Sequence, residues 1–137
     1  MAILVLNASV MASYVLGIKS TEAELSALMR SPFEFIAPDI WRPELANTFW
    51  KYIQKQEITL EEAEELLRRA ETLLSYTVSS QELWSLALVL ASQENHPVYD
   101  CFYLALAMEK KTTVITYDRM LWSKFGDLAN APEDILP

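Results

Sequence analysis

Short apolar runs alternate along the chain with longer segments in which apolar residues recur every three or four positions. Residues 3–6 form a continuous apolar run, residues 33–37 and 76–78 are predicted as further strands, and residues 113–116 are predicted as a β-branched strand. Continuous apolar runs of this length are typical of strands that are buried on both faces of a parallel sheet. The periodic segments between them predict amphipathic helices.

Polar residues in front of the periodic segments indicate where the helices begin. Thr21 with Glu24, and Thr59 with Glu62, have the spacing of a capping box. Further helix starts are predicted at Asp39, at Ser79 with Glu82, at Pro97 and at Asp118. The helix after Asp118 is expected to end at Phe125, and residues 130–137 are expected to form an irregular tail.

Strands that alternate with helices predict the α/β class. We expect a parallel sheet of about four to five strands with helices on both faces. The chain has 137 residues, with no internal repeat and no stretch that looks like a linker. The sequence therefore predicts one domain that spans residues 1–137.

Composition narrows the class of protein. Hydrophobic residues make up 52% of the chain, so a full core is expected without structural metal or disulfides. The single cysteine, Cys101, rules out an internal disulfide and fits a reducing cytoplasm. We find no signal peptide and no apolar run of the ~18 residues that a membrane span needs. Only two glycines are present, which excludes a glycine-rich phosphate loop.

The formal net charge of −8 limits how the protein could bind nucleic acid. Phosphate binding depends on clustered lysine and arginine, so the field of the whole protein would repel RNA or DNA. Any activity on nucleic acid must rest on local basic groups and bound cations. Alternatively, the acidic surface is met by a basic partner.

Four oxygen-bearing side chains occupy positions where a ligand site is expected. Asn7 and Asp118 follow strands, whereas Glu44 and Asp100 lie in the opening turns of helices. Each has an ordinary structural explanation, such as a helix cap or an acid near a helix N-terminus. Together they should meet at the carboxyl edge of the sheet, where oxygen-only sites suit Mg²⁺ or Mn²⁺. Such cations activate water and stabilise a phosphodiester transition state.

The segments around these residues resemble, in order, the motifs of the PIN domain family, and in particular its VapC-type toxin ribonucleases. The matching segments are Asn7-Ala8-Ser9, Glu44-Leu45-Ala46-Asn47, Asp100 with Tyr103-Leu104-Ala105, and Thr116-Tyr117-Asp118-Arg119. The resemblance spans nearly the whole chain. It implies a divalent-cation-dependent endoribonuclease that uses Mg²⁺ or Mn²⁺.

The resemblance also implies roles for individual residues and partners. The acidic quartet of the family falls on Asn7, Glu44, Asp100 and Asp118, with Thr116 and Asn47 in support. PIN toxins of this kind are often homodimers, and a small antitoxin silences them by placing its tail in the acidic groove. RNA is the implied substrate.

Asn7 departs from the family pattern, because the first member of the quartet is an aspartate there. The oxygen of an amide can still ligate a cation, but an amide brings no charge and cannot accept a proton, so we expect cation binding weakened about 10–100-fold or more. Either the natural protein has weakened catalysis, or the change was introduced to protect an expression host from a toxic enzyme. We favour a natural departure.

Two other classes of function stay open on the sequence. A PIN-like module without catalysis, acting through protein binding, is favoured by Asn7 and opposed by the three retained acids. A doubly wound phosphatase or ligand-binding domain is the other, although an aspartate nucleophile after the first strand is contradicted by Asn7. Candidate RNA contacts are Arg42, Lys51 and Arg119, for which the simpler interpretation is solvated surface charge. The lone histidine, His96, is interpreted as structural.

Overall fold

A computed structural model describes residues 2–136, which form five β-strands and eight α-helices. The strands are β1 (Ile3–Leu6), β2 (Glu34–Pro38), β3 (Tyr76–Val78), β4 (Val114–Ile115) and β5 (Ala129–Asn130). The helices are α1 (Ala8–Leu16), α2 (Glu22–Met29), α3 (Trp41–Gln54), α4 (Leu60–Glu71), α5 (Ser80–Glu94), α6 (Val98–Glu109), α7 (Arg119–Phe125) and α8 (Pro132–Ile135), with a 3₁₀ turn at Gly126–Leu128.

The sheet is parallel throughout and has the strand order β3-β2-β1-β4-β5. Val5 in the central strand β1 aligns with Ile36 on one side and Val114 on the other. The chain builds outward from β1 to β3 and then crosses back to β4. The strand order therefore reverses between β1 and β4, where open parallel sheets form their ligand crevice.

Helix α6 packs directly against the sheet. It contacts β1, β2 and β4 and packs against α5, whereas α1, α3 and α4 pack on one another. Right-handed crossovers place these two groups on opposite faces of the sheet. The fully buried residues of α6 are Cys101, Tyr103, Leu104, Ala105, Leu106 and Ala107. This packing fixes the first turn of α6, which carries Asp100, at the carboxyl edge of the sheet.

The predicted α/β class, parallel sheet and strand positions are confirmed. The capping box of Thr59 and Glu62 is also confirmed, with Glu62 N donating to Thr59 Oγ1 at 3.1 Å. No helix within residues 2–136 combines the length and the apolar character needed to cross a bilayer.

Two of the predicted helix caps are wrong. Asp39 does not cap α3; its Oδ1 accepts a hydrogen bond from Ser80 N, 3.0 Å away in the first turn of α5. Strand β3 pairs with β2 and leads into α5, which brings the Ser80 amide close to Asp39. Asp39 therefore accepts from this distant amide and not from an amide of α3. Thr21 forms no capping box either, because its hydroxyl donates to the Ile18 carbonyl and its backbone is helical.

The prediction of an irregular tail is also wrong. Ala129 pairs with Val114 to form β5, and Pro132–Ile135 forms a short helix. A strand of two residues has no periodicity of its own, so the exposed edge of β4 determines it rather than the local sequence.

Candidate active site

A cavity of about 310 Å³ opens at the carboxyl edge of β1 and β4. It is lined by Asn7, Ala8, Ser9, Glu44, Asn47, Thr48, Asp100, Thr116 and Asp118. All four members of the predicted quartet and both predicted supporting residues therefore line one cavity, which we call the acidic cavity. Its position is the strand-order reversal point described above.

Asn7 caps α1 with its side-chain oxygen. Oδ1 accepts hydrogen bonds from Ser9 N at 2.9 Å and from Ser9 Oγ at 2.6 Å. An amide oxygen has two lone pairs, and these two donors use both of them. The other polar atom of the side chain is Nδ2, which can only donate and cannot ligate a cation. In this arrangement Asn7 caps the helix, and its side-chain oxygen is engaged by Ser9 rather than directed to a cation.

Glu44 enters the cavity from the first turn of α3 and is held by α6. Its Oε1 accepts a hydrogen bond from the Tyr103 hydroxyl at 2.7 Å. Burial raises the pKa of Glu44, the hydrogen bond from Tyr103 lowers it, and the nearby charge of Asp100 raises it again, with a net upward shift. Burial and Glu44 hold the pKa of Tyr103 well above its usual value, so Tyr103 remains a donor.

Asp100 is oriented by a buried histidine one turn earlier. Asp100 Oδ2 lies 2.8 Å from His96 Nε2, and Lys124 Nζ lies 3.4 Å from His96 Nδ1. A lysine ammonium can only donate, so Nδ1 is the acceptor and Nε2 carries the proton that is donated to Asp100. The edge of the His96 ring also packs against Phe125.

Asp118 and Thr116 line the acidic cavity and also accept hydrogen bonds from backbone amides. Asp118 Oδ1 accepts a hydrogen bond from Met120 N at 2.9 Å and so caps α7. The buried Thr116 accepts from Asp118 N through its Oγ1 at 3.1 Å. The Thr116 carbonyl accepts from the indole nitrogen of Trp122 at 3.0 Å.

The side chains of the acidic cavity have the chemistry that suits a divalent cation. Their carboxylates, however, are not grouped around one point. Within residues 2–136, no three His, Cys, Asp or Glu side chains are grouped so as to hold one ion. The potential ligands are all oxygens, as Mg²⁺ and Mn²⁺ prefer. Burial and the repulsion from Asp100 raise the pKa of Glu44, and a cation would compensate both effects. Glu44, Asp100 and Asp118 are the three carboxylates that line the cavity and would hold such a cation.

The three predicted RNA-contacting cations lie outside the cavity lining. Arg42 forms an exposed ion pair with Glu71 at 2.5 Å and lies over the Trp41 ring. Arg119 follows Asp118 and is exposed. Lys51 is exposed one helical turn beyond Asn47, on the face of α3 that carries Glu44.

Three residues of the site were missed at the level of sequence. Ser9, His96 and Tyr103 hold Asn7, Asp100 and Glu44 respectively. Spacing gives a partial signal for two of them, since His96 lies four positions before Asp100 and Tyr103 three after it, on the same helical face. The interpretation of His96 as structural does not foresee its contact with Asp100, a member of the quartet.

The sequence model of the PIN domain family matches residues 4–128. The fold and the acidic cavity define an α/β protein with a polar site at the carboxyl edge of a parallel sheet. The chain belongs to the PIN domain family. No curated protein matches it by sequence.

Three solved structures share the fold at low sequence identity. PAE2754 from Pyrobaculum aerophilum has a TM-score of 0.72 and 16% identity over 98% of this chain and 86% of its own. A toxin–antitoxin complex from Klebsiella pneumoniae has a TM-score of 0.62 and 18% identity over 96% and 98%. VapBC2 from Rickettsia felis, bound to a DNA fragment from its promoter, has a TM-score of 0.65 and 13% identity over 94% and 98%.

Proposed function

We propose that this protein is a divalent-cation-dependent endoribonuclease, the toxin of a VapBC-type toxin–antitoxin pair, with catalysis weakened at Asn7. The main support is that the six predicted site residues all line the acidic cavity of a PIN fold. Glu44, Asp100 and Asp118 are the proposed cation ligands, with Mg²⁺ or Mn²⁺ as the cofactor. Thr116 and Asn47 support the site, and Asn7 occupies the first position without charge.

The residues of this chain would orient the site. A bound divalent cation supplies water activation and stabilises charge on the phosphodiester. Tyr103 and His96 fix the carboxylates of Glu44 and Asp100 by donating hydrogen bonds. Burial raises the pKa of Glu44, so a bound cation would stabilise its charged form and keep it as a ligand.

RNA would reach the cavity through local contacts, because the net charge of −8 repels it at longer range. Lys51 is the best placed of the candidate cations, on the same helical face as Glu44. Arg119 is close in sequence to Asp118. Arg42 would have to leave its ion pair with Glu71 to contact a phosphate.

We propose two protein partners as well. A small antitoxin with a basic segment would complement the acidic cavity, as the toxin–antitoxin complexes of the same fold suggest. A homodimer is supported by the exposed apolar face of α5, formed by Trp84, Leu88 and Val89. Sedimentation should show a dimer that Leu88→Glu converts to a monomer. Cysteine usage supports a cytoplasmic location.

A catalytically inactive PIN module that acts by protein binding is the second candidate. The geometry of Asn7 favours it, because both lone pairs of Oδ1 are already used by Ser9. The two candidates differ for the protein itself, which should cleave RNA slowly if it is a weakened ribonuclease and not at all if it is an inactive module.

Cleavage of a mixed panel of structured and single-stranded RNA tests the proposal. The protein, Asn7→Asp and the matched control Asn7→Asp with Glu44→Gln are compared in Mn²⁺ and Mg²⁺, with and without chelator. We expect Asn7→Asp to cleave most strongly, and both the chelator and Glu44→Gln to stop it. If neither the protein nor Asn7→Asp cleaves RNA or binds metal, the binding module is the better explanation.

A further inference from the structure

A second cavity of about 440 Å³ adjoins the acidic cavity. It is lined by Ile40, Pro43, Glu44, Asn47 and Tyr99. Glu44 and Asn47 line both cavities, so the two form one continuous depression across the start of α3 and α6. We call the second cavity the side pocket. Unlike the acidic cavity, the side pocket is lined mostly by apolar groups.

Tyr99 is the most unusual member of the side pocket. It is 62% exposed and directly precedes Asp100 in the first turn of α6. An exposed aromatic ring beside Ile40 and Pro43 contributes nothing to the core, which α6 builds from its other face. Such a ring at the rim of a polar site is a candidate ligand contact.

We propose that the side pocket binds a nucleobase of single-stranded RNA, stacked on Tyr99, next to the phosphodiester that enters the acidic cavity. This inference rests on the proposed ribonuclease function. Bases are uncharged and have apolar faces, so stacking can supply binding that the acidic surface denies to phosphates. The exposed Asn47 carboxamide offers two donors and an acceptor for the edge of a base.

Continuity of the two cavities favours a nucleobase over a side chain of a protein. Because a base is joined through its sugar to the neighbouring phosphates, an RNA strand whose phosphate is held by a cation in the acidic cavity brings a base close to Tyr99. The side pocket would bind the base by stacking, without sequence preference from Tyr99 itself.

RNA affinity, rather than cleavage, tests the proposal, since Asn7 weakens turnover. Fluorescence anisotropy in Mn²⁺ would compare the protein, Tyr99→Ala and Tyr99→Phe with a short labelled single-stranded RNA and with its fully abasic counterpart. We expect Tyr99→Ala to weaken binding of the RNA about tenfold. Tyr99→Phe should bind normally, and abasic RNA should not distinguish the variants. Tyr76→Ala, a change of an exposed aromatic on β3 that lines neither cavity, is the matched control and should have no effect.

The outcomes separate this inference from the function on which it rests. If the protein binds RNA and Tyr99→Ala binds it equally well, the base site is wrong, the ribonuclease proposal stands, and the pocket is left to a side chain of a protein partner. Equal losses with Tyr99→Phe and Tyr99→Ala, or equal losses on abasic RNA, would also overturn stacking. If the protein binds no RNA even as Asn7→Asp, the proposed function fails and the base site fails with it.

Discussion

The two sides of the acidic cavity are built on different physical principles. On the helix side, Glu44 and Asp100 repel each other and are held by the side chains of Tyr103 and His96. On the strand side, Asn7 and Asp118 cap α1 and α7 through backbone amides. Capping is a structural duty that asparagine and aspartate perform equally well.

Under the proposed function, this difference would allow Asn7 to keep the fold while it weakens the binding of a cation. The cap needs one oxygen, which the amide supplies. A cation site needs a second side-chain oxygen with a lone pair. At that position Asn7 has Nδ2, which has no lone pair to offer. The helix side, by contrast, gathers charge at a cost in stability, as functional sites often do.

The largest effect is expected from the tyrosine that supports Glu44. Tyr103→Phe removes the hydrogen bond that lowers the pKa of Glu44 and leaves a partly buried carboxylate without that donor. We expect a loss of about 1–3 kcal/mol in the free energy of unfolding at neutral pH. Denaturant titration measures the loss.

Tyr117→Phe is the matched control for that change, because Tyr117 donates to Glu24 outside the acidic cavity. Both variants should lose stability, but only Tyr103→Phe should alter the affinity for Mn²⁺. An equal change in Mn²⁺ affinity would mean that the helix side has no special role.

A pair of variants at Asp118 separates capping from charge on the strand side. Asp118→Ala loses the hydrogen bond to Met120 N and should cost about 1 kcal/mol of stability. Asp118→Asn keeps the cap, so its stability should be close to that of the parent. Both should lose Mn²⁺ affinity and RNA cleavage in the Asn7→Asp background. Retained activity in either variant would remove Asp118 from the proposed ligands.

Glu44→Gln should stabilise the protein, by about 0.5–1 kcal/mol at pH 7.5 in chelator. The pKa of Glu44 is higher in the folded state than in the unfolded state, so protonation of Glu44 favours folding. The stability that protonated Glu44 contributes is present below about pH 4.5 and is lost as pH rises through the folded-state pKa. The gain from Glu44→Gln should therefore be large at pH 7.5 and vanish near pH 4. Thermal melts at both pH values decide this, and a gain that does not depend on pH would contradict it.

The smallest effect concerns the rigidity of the helix side. Cys101 is buried beside Asp100, and burial together with the charge of Asp100 raises the pKa of its thiol to about 11. The native protein should react slowly with iodoacetamide at pH 8, and the urea-unfolded protein rapidly. Rapid reaction of the native thiol would show that the first turn of α6 opens easily, which would contradict a preformed helix side.

Local features of the sequence predict the fold better than they predict the contacts of the site. The capping box at Thr59 and the strand before Asn7 depend on residues a few positions apart. Asp39 was assigned the wrong helix because its partner, Ser80, lies 41 positions away. The strand β5 likewise forms only because β4 offers it an edge.

The site shows the same division. The quartet positions could be predicted because parallel strands bring their carboxyl ends to one edge. The hydrogen bond from Tyr103 to Glu44 could not be predicted, since Tyr103 lies 59 residues further along the chain. Neither could the orientation of the Asn7 amide, which depends on the rotamer of Ser9 as well as on the helix.

Titration of Mn²⁺ into the protein and into Asn7→Asp tests the central claim most directly. Asparagine and aspartate are equal caps, so the free energy of unfolding without metal should change by less than about 1 kcal/mol. Affinity for Mn²⁺ should rise about 10–100-fold in Asn7→Asp, because a charged oxygen replaces Nδ2. Equal affinities in the two proteins would contradict the claim that Asn7 preserves the fold while it weakens a cation site.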